Sequence, residues 1–133
     1  MLKARQGKEV VVRMADEIGG LAKFSKVVAE KGVNTLAMSA WVEGDEGVVR
    51  LVTDDTLRTT EALEKHGYKL EVRDVVLVDT AHKPGALRHL TDTLAEAHID
   101  LTHLFASATI AQDECLVVFN SSNNEHAIVL LDR

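Results

Sequence analysis

Several residue types are nearly absent from this chain of 133 residues: it has one cysteine, Cys115, one proline, Pro84, and one tryptophan, Trp41. A lone cysteine excludes a disulfide framework within the chain. No stretch approaches the roughly 18 apolar residues that a membrane span needs. The opening Met1-Leu2-Lys3-Ala4-Arg5-Gln6-Gly7 lacks the apolar run of a signal peptide. Together these absences fit a soluble protein of a reducing cytoplasm. Cations are also scarce in one part. Residues 74–133 carry 3 Lys+Arg against 9 Asp+Glu, whereas residues 1–73 carry 12 against 12, so the net charge of −6 lies wholly in the second part. Such a balance repels phosphate backbones and argues against nucleic acid as a partner. Five of the six histidines (His82, His89, His98, His103, His126) lie there too, which makes its charge sensitive to mild acid.

What is present is an ordinary globular composition, with 46% hydrophobic and 27% charged residues. It also holds an internal repeat. Shifted by 66 residues without a gap, Val10 and Val12 fall on Val76 and Val78, Gly19 on Gly85, Leu21 on Leu87 and Ala29-Glu30 on Ala95-Glu96. Ala40 falls on Ala106 and Val52 on Val118. Each copy opens on a β-branched run, Val10-Val11-Val12 or Val75-Val76-Leu77-Val78, whose back-to-back apolar residues predict a strand buried on both faces or in mid-sheet. A glycine turn follows, then a helix with an apolar stripe: Leu21, Phe24, Val28 in one copy and Leu87, Leu90, Leu94 in the other. A strand from about Val33 to Val42, or Ile99 to Ala108, comes next. Polar turns (residues 43–47, or 111–114) join these to third strands, Val48 to Thr53 and Cys115 to Phe119, as antiparallel hairpins. Copy one adds a helix from Leu57 to His66, stopped by Gly67. An alternating strand at Tyr68, Leu70 and Val72 completes it.

The order β-α-β-β-α-β is the split βαβ, or ferredoxin-like, arrangement. The expected fold class is therefore α+β, with two tandem units at residues 1–73 and 74–133, antiparallel sheets and helices on one face. No Gly/Ser/Pro linker separates the units, which predicts rigid coupling. The second unit stops after its second helix and lacks its last strand. Its strand Val75-Val76-Leu77-Val78 would then present an uncharged open edge, and a homodimer is the expected remedy. The terminal run Ala127-Ile128-Val129-Leu130-Leu131 reads as a helix covered by a partner, or partly as a strand.

Three functions hosted by this fold fail on residues. An RNA-binding version needs aromatics on strands one and three, and Phe119 is the only ring there. A metal chaperone needs paired cysteines in the first loop. An acylphosphatase-like enzyme needs an arginine cradle where this chain has Ala15-Asp16-Glu17-Ile18-Gly19-Gly20. The histidine spacings match no recurring metal-ligand motif. No nucleophile-with-base pattern occurs, and Asp54-Asp55 and Asp16-Glu17 fall in loops where acidic pairs are usually solvated. Cys115, set opposite Val49 by the shift, reads as a small core residue, and His103 as a packed histidine within a strand. Trp41, at a strand end, is read as an interface residue.

The second copy's His82-Lys83-Pro84-Gly85-Ala86-Leu87, followed by Leu94-Ala95-Glu96 and Ile99-Asp100, resembles the ACT domain family. In copy one, Gly19-Gly20-Leu21 and Val33-Asn34 fit the same elements without the proline. The resemblance covers nearly the whole chain and is to small tandem-ACT proteins without a catalytic domain. It implies an amino-acid-binding regulatory protein, not an enzyme, with no cofactor and no membrane partner, and with a metabolic enzyme as the regulated partner. It also implies a ligand held between the first loop of one ACT unit and strand two of another. The candidate ligand-binding residues are His82, Lys83, Pro84, Gly85, Ala86 and Asp100 in the second copy. Asp16, Gly19, Gly20 and Asn34 are their counterparts in the first.

The physics of the loop agrees with that role. First-turn N–H groups and the helix dipole favour a carboxylate there, and Asn34 or Asp100 offers oxygens to an ammonium. Two plainer readings stand beside it: Gly19 and Gly85 serve a tight turn, and Asn34, Asp100 and His82 are ordinary polar residues at strand starts and in loops. The alternative function is an ACT-like dimerisation module that takes no small ligand.

Overall fold

The computed structural model describes residues 2–109 and 113–132. Ten elements alternate as expected: β1 (Lys3–Ala15), α1 (Gly20–Glu30), β2 (Thr35–Glu43), β3 (Glu46–Thr53), α2 (Thr56–Lys65), β4 (Leu70–Ala81), α3 (Ala86–Glu96), β5 (Leu101–Thr109), β6 (Glu114–Ser121) and α4 (Asn124–Leu131). They form two compact units. The first is Lys8–Arg73, and the second is Asp74–Arg133 together with Met1–Gly7. The expected 1–73 unit thus cedes its first seven residues to the other.

In the first unit the strand order is β2-β3-β1-β4, with β1 antiparallel to β3 (Val10 opposite Leu51) and β2 antiparallel to β3 (Ala40 opposite Val49). Val10, Val12, Val49 and Leu51 share one sheet face, and α1 and α2 cover it with Phe24, Val27, Val28, Ala62 and Leu63. Val11, Val48 and Val52 are buried on the opposite face. Burial on both faces is why the run Val10-Val11-Val12 shows no alternation. Helix α2 starts at Asp55, whose carboxylate accepts from the Arg58 amide at 3.0 Å. It ends where Gly67 takes a left-handed φ of +85° and the Tyr68 amide returns to the Leu63 carbonyl at 3.0 Å.

The second unit repeats this plan in the order β1-β4-β6-β5. Val76 lies opposite Phe119 on β6, and Ala106 of β5 opposite Val117. These pairs correct the ungapped repeat. Val10 and Val76 differ by 66, but their partners Leu51 and Phe119 differ by 68. The second hairpin is therefore two residues longer, and Cys115, which pairs with Thr80 as Gly47 pairs with Met14, is the counterpart of Gly47 and not of Val49. Of the turn expected at 111–114, Ala111 and Gln112 lie outside the described residues. From β6 onward the offset of 68 holds: Asn123 caps α4 as Asp55 caps α2, and Leu131 is buried like Leu63. The apolar run near the C-terminus is thus helical, with Ala127 and Leu131 inward and Val129 75% exposed.

The fourth strand of the second unit is present, supplied by the far end of the chain. Lys3–Gly7 of β1 lies beside β4, and Leu2 and Ala4 are buried in one core with Val76, Val78, Leu90, Leu94, Phe119 and Leu131. Arg5 pairs with Asp79, Gln6 Nε2 donates to Asp74 Oδ1 at 3.2 Å, and the Ala4 amide donates to Asp132 at 3.2 Å. A side chain at Gly7 would put a Cβ 2.7 Å from Leu77 Cδ1, so the strand approaches closely only because residue 7 has none. The expected open edge is filled from within the chain, so that edge calls for no second copy. Leu2→Ala is expected to lower the unfolding free energy, read from urea denaturation, by about 2 kcal/mol. That is the low end for a buried leucine, since strand ends fray.

Candidate functional site

The loop between first strand and first helix has the same construction in both units. Gly20 N donates to Glu17 O at 3.1 Å, and Ala86 N donates to Lys83 O at 3.2 Å. Gly19 has φ 84°, ψ −2° and Gly85 has φ 87°, ψ −9°. These are the third residues of type II turns, a position that glycine fills without strain. Pro84 occupies the second position, where its fixed φ suits the turn, and Ile18 holds that place in the first unit with its side chain fully exposed. The turn reading accounts for both glycines. Among the described residues no atom lies within 4 Å of where a Cβ would stand on either.

Among the described residues no side chain caps α1 or α3, whereas Asp55 and Asn123 cap α2 and α4. The two helices that start at the candidate loops therefore keep first-turn amides without a side-chain acceptor. Beside each loop is a cleft between the helix start and the edge of the sheet. The cleft of the first unit, about 220 Å³, is lined by Ala15, Asp16, Glu17, Gly20 and Leu21, with Ala40, Gly47 and Val49 beneath. That of the second, about 260 Å³, is lined by Ala81, His82, Lys83, Ala86 and Leu87, with Ala106, Cys115 and Val117 beneath. Each residue of the second set is the structural counterpart of one in the first. Leu21 and Leu87, expected to point into the cores, are 42% and 50% exposed. They stand in the cleft walls, because the first helical turn overhangs the edge strand instead of the core. Sequence periodicity could not separate a core position from a cleft wall on the same helical stripe.

The rims of the two clefts are opposite in charge. Asp16 and Glu17 line the first; His82, Lys83 and Arg88 line the second. Arg88 was not among the sequence candidates, and neither was Cys115, which the ungapped alignment had assigned to the core. Cys115 is half-buried, packs against that core, and lines the cleft as well.

Asn34 and Asp100 are not brought to the loops of their own units. Asn34 precedes β2 and lies beside the end of β3, whereas the glycine loop adjoins the opposite end, where Glu43 faces Glu46 and Ala15 faces Glu46. Nine residues of strand, about 30 Å at 3.3 Å each, separate the two ends. Asn34 is instead engaged locally. Its backbone amide donates to Asp54 Oδ1 at 3.0 Å, its side-chain amide to Asp54 Oδ2 at 2.9 Å, and Asp54 N returns to Asn34 O at 3.1 Å. In the second unit Asp100 N donates to Ser122 Oγ at 2.9 Å and Ser122 N to Asp100 O at 2.9 Å. These are the same clasp, fixing the start of strand two to the end of strand three. The acidic pair expected to be merely solvated is thus structural, with Asp54 in the clasp and Asp55 at the helix cap. Among the described residues no group of three or more His, Cys, Asp or Glu is placed to hold a metal ion. No helix among them is long and apolar enough to cross a membrane.

A tandem of β-α-β-β-α-β units whose first loops open onto paired clefts defines a small class of proteins, and comparison with known proteins identifies it. Residues 7–133 match the family described as an ACT domain pair, and the chain belongs to that family. Among solved structures, protein BT0572 from Bacteroides thetaiotaomicron is similar with a TM-score of 0.89 and 23% identity, over 96% of this chain and 88% of that one. The ligand-free regulatory subunit of aspartate kinase from Thermus thermophilus is similar with a TM-score of 0.71 and 15% identity, over 98% of this chain and 93% of that one. At these identities the likeness is one of fold. No curated protein matches the chain at a significant level.

The clasp generates a test. Hydrogen bonds from the side chain and then the backbone of Asn34 hold the Asp54 carboxyl below the ordinary value of 3.8. A depressed folded-state pKa contributes stability that is present above the unfolded value and is lost as pH falls through the folded one. Asp54→Ala should therefore destabilise the protein at pH 7, and its stability should converge on that of the unaltered protein below pH 3.8, as measured by urea denaturation across pH.

Proposed function

We propose that this ACT domain pair is a regulatory protein that binds an amino acid at the first loop of its second unit and passes the binding event to an enzyme. One observation carries the reading: the same cleft occurs at the same place in both units, beside a helix start that no side chain caps. Amides of the α3 first turn suit a carboxylate, and His82, Lys83 and Arg88 add positive charge around it. The nearly apolar floor of Leu90, Ala106, Cys115 and Val117 suits a small aliphatic side chain. The cleft of the first unit has Asp16 and Glu17 in place of His82 and Lys83, and it is the weaker carboxylate site for that reason. A regulatory role is supported by likeness to the Thermus thermophilus regulatory subunit of aspartate kinase, which this chain covers almost end to end. The output would be a coupling free energy between the cleft and a surface that contacts the regulated enzyme.

Cys115 provides a direct readout. A bound amino acid should slow alkylation of Cys115 by iodoacetamide, in a screen of the twenty amino acids with nucleotides as controls. At 100 times its dissociation constant the ligand should also stabilise the fold by roughly 2.7 kcal/mol. Lys83→Glu, which copies Glu17, should abolish both effects, while Glu17→Lys leaves them. If no amino acid protects the thiol or raises the melting temperature, the reading fails and a dimerisation module without a small ligand takes its place.

The homodimer belongs to this proposal on different grounds from the filled edge of β4. Strand β2 is an edge strand that exposes Met38 and Val42, at 41% and 57%, on one face, and Leu36, at 46%, where its register against β3 shifts. Exposed apolar residues on an unpaired edge strand invite a second copy about a two-fold axis. Sedimentation at micromolar concentration should give twice the chain mass, and Met38→Lys should return it to the mass of one chain.

A further inference from the structure

A second concavity in the first unit, about 430 Å³, lies on the other side of the α1 start from that unit's own cleft. Lys23, Lys26, Val27 and Glu30 line it from one face of α1, at the three- and four-residue spacing that stacks side chains on a helix. His66, Gly67 and Tyr68, from the turn between α2 and β4, form the facing wall, and Met14 and Ala15 close the end. The volume is that of a small-ligand site.

That wall is fixed in place. The Tyr68 ring meets the buried Phe24 ring edge-on, with centroids 5.6 Å apart. His66 Nδ1 lies 2.9 Å from the Ala62 carbonyl and donates to it, which fixes the ring against α2. Gly67, held at φ +85° with no atom within 4 Å of a would-be Cβ, leaves the turn's backbone uncovered.

Lys23 and Lys26 are charges that the fold does not use. Among the described residues neither takes part in an ion pair, although Glu30 stands four residues from Lys26, the separation at which Arg88 and Asp92 do pair at 3.4 Å. Their counterparts in the second unit, 66 residues on, are His89 and Asp92. The same helix in the same fold thus does without a cationic pair there. Lys23, Lys26, His66 and Tyr68 line the cleft together, and Glu17 and Glu30 are the other ionisable residues in its lining.

We propose that this cleft binds a phosphate monoester whose body carries hydroxyl or ammonium donors. The phosphate dianion lies between Lys23 and Lys26 and accepts from the Tyr68 hydroxyl. The donors of the ligand body meet Glu17 or Glu30. Two ammonium groups balance a dianion, and each charge-assisted contact is stronger than a neutral one. The two rim carboxylates repel a bare polyanion, which selects against inorganic phosphate and pyrophosphate in favour of an ester with donors. This site shares Ala15, Glu17 and Gly20 with the first unit's cleft but neither Cys115 nor the His82 loop, so it stands independently of the amino-acid site proposed in the second unit.

The probe is glycerol 3-phosphate, titrated into ¹⁵N-labelled full-length protein, with glycerol and inorganic phosphate as controls. Saturable shifts are expected at the Gly67 and Tyr68 amides, with inorganic phosphate weaker and glycerol silent. Replacing both Lys23 and Lys26 by Gln should weaken binding on the order of tenfold or more. Replacing Lys31 and Lys65, an equal charge outside the cleft, should change it by less than about twofold. The proposal is overturned if no saturable shift appears at Gly67 and Tyr68, or if the two double variants weaken binding equally. It is equally overturned if inorganic phosphate binds as tightly as the ester.

Discussion

Strand β1 has to serve two cores at once, and the rest of the fold follows from how it does so. Its residues from Val10 onward place Val10 and Val12 against Phe24, Val49 and Leu51, while the chain before Lys8 places Leu2 and Ala4 against Val76, Val78 and Phe119. Strand β4 is divided in the same way, with Leu70–Arg73 in the first unit and Asp74 onward in the second. Units of this size are marginal alone, since a chain of about 60 residues buries only about 60% of its unfolded surface. Completing the second unit with residues from the far end of the chain means that its core closes only once that end has returned. Gly7 marks the transition, and its missing side chain is what lets the strand lie against Leu77.

Much of this was legible in the sequence, and the failures have particular causes. The β-branched runs, the helical stripes and the two glycine turns are local patterns, and they predicted the element order and the ferredoxin-like class. The missing strand was not legible, because Lys3-Ala4-Arg5-Gln6-Gly7 has three polar residues, two small ones and no apolar alternation. Its burial depends on a partner strand some seventy residues away. The two-residue lengthening of the second hairpin was hidden by coincidence. Val52 and Val118 match under the ungapped shift, yet Val118 occupies the place of Arg50. That misalignment sent Cys115 to the core and concealed its place in the cleft. Asn34 was legible as a polar residue at a strand start, but its partner Asp54, twenty residues on, was not.

The candidate sites differ between the units in ways that the shared backbone does not require. Both loops use the same turn, the same left-handed glycine and the same uncapped helix, so whatever binds there meets the same amides. Selectivity must then come from the side chains around them. Exchanging Asp16 and Glu17 for His82 and Lys83 alters the local charge by three units, with His82 counted as neutral. The second unit's pair acts against the strongly acidic background of that half. A positive pocket in an acidic field acts over short range, because charges more than about 8 to 10 Å apart are largely screened at physiological salt. The field of the whole chain would therefore slow an anion's approach more than it weakens its binding.

The two units also differ in their interior, at the pair Glu9 and Arg50. Glu9 is fully buried, its carboxylate 3.2 Å from the guanidinium of Arg50, which also lies over the Trp41 ring at 5.6 Å from its centroid. The counterparts in the second unit are Val75 and Val118, both buried. The same backbone thus accepts either an ion pair or two valines at this place, so the pair is not a requirement of the fold. Burying two charges costs several kcal/mol per ion before their attraction offsets it, and apolar replacements of buried pairs are often neutral or stabilising. What the ion pair adds is position. Arg50 is held from one side by Glu9 and lies against Trp41 on the other, and the Trp41 indole donates to Glu43 at 3.1 Å. That chain of contacts runs from the sheet interior to the exposed edge strand β2, the surface on which pairing with a second copy is proposed. A valine pair would fill the volume equally well but could not orient an edge residue. The first unit therefore uses an electrostatically costly interior to fix the geometry of its edge, while the second, with a serine in place of Trp41, has no such residue to orient.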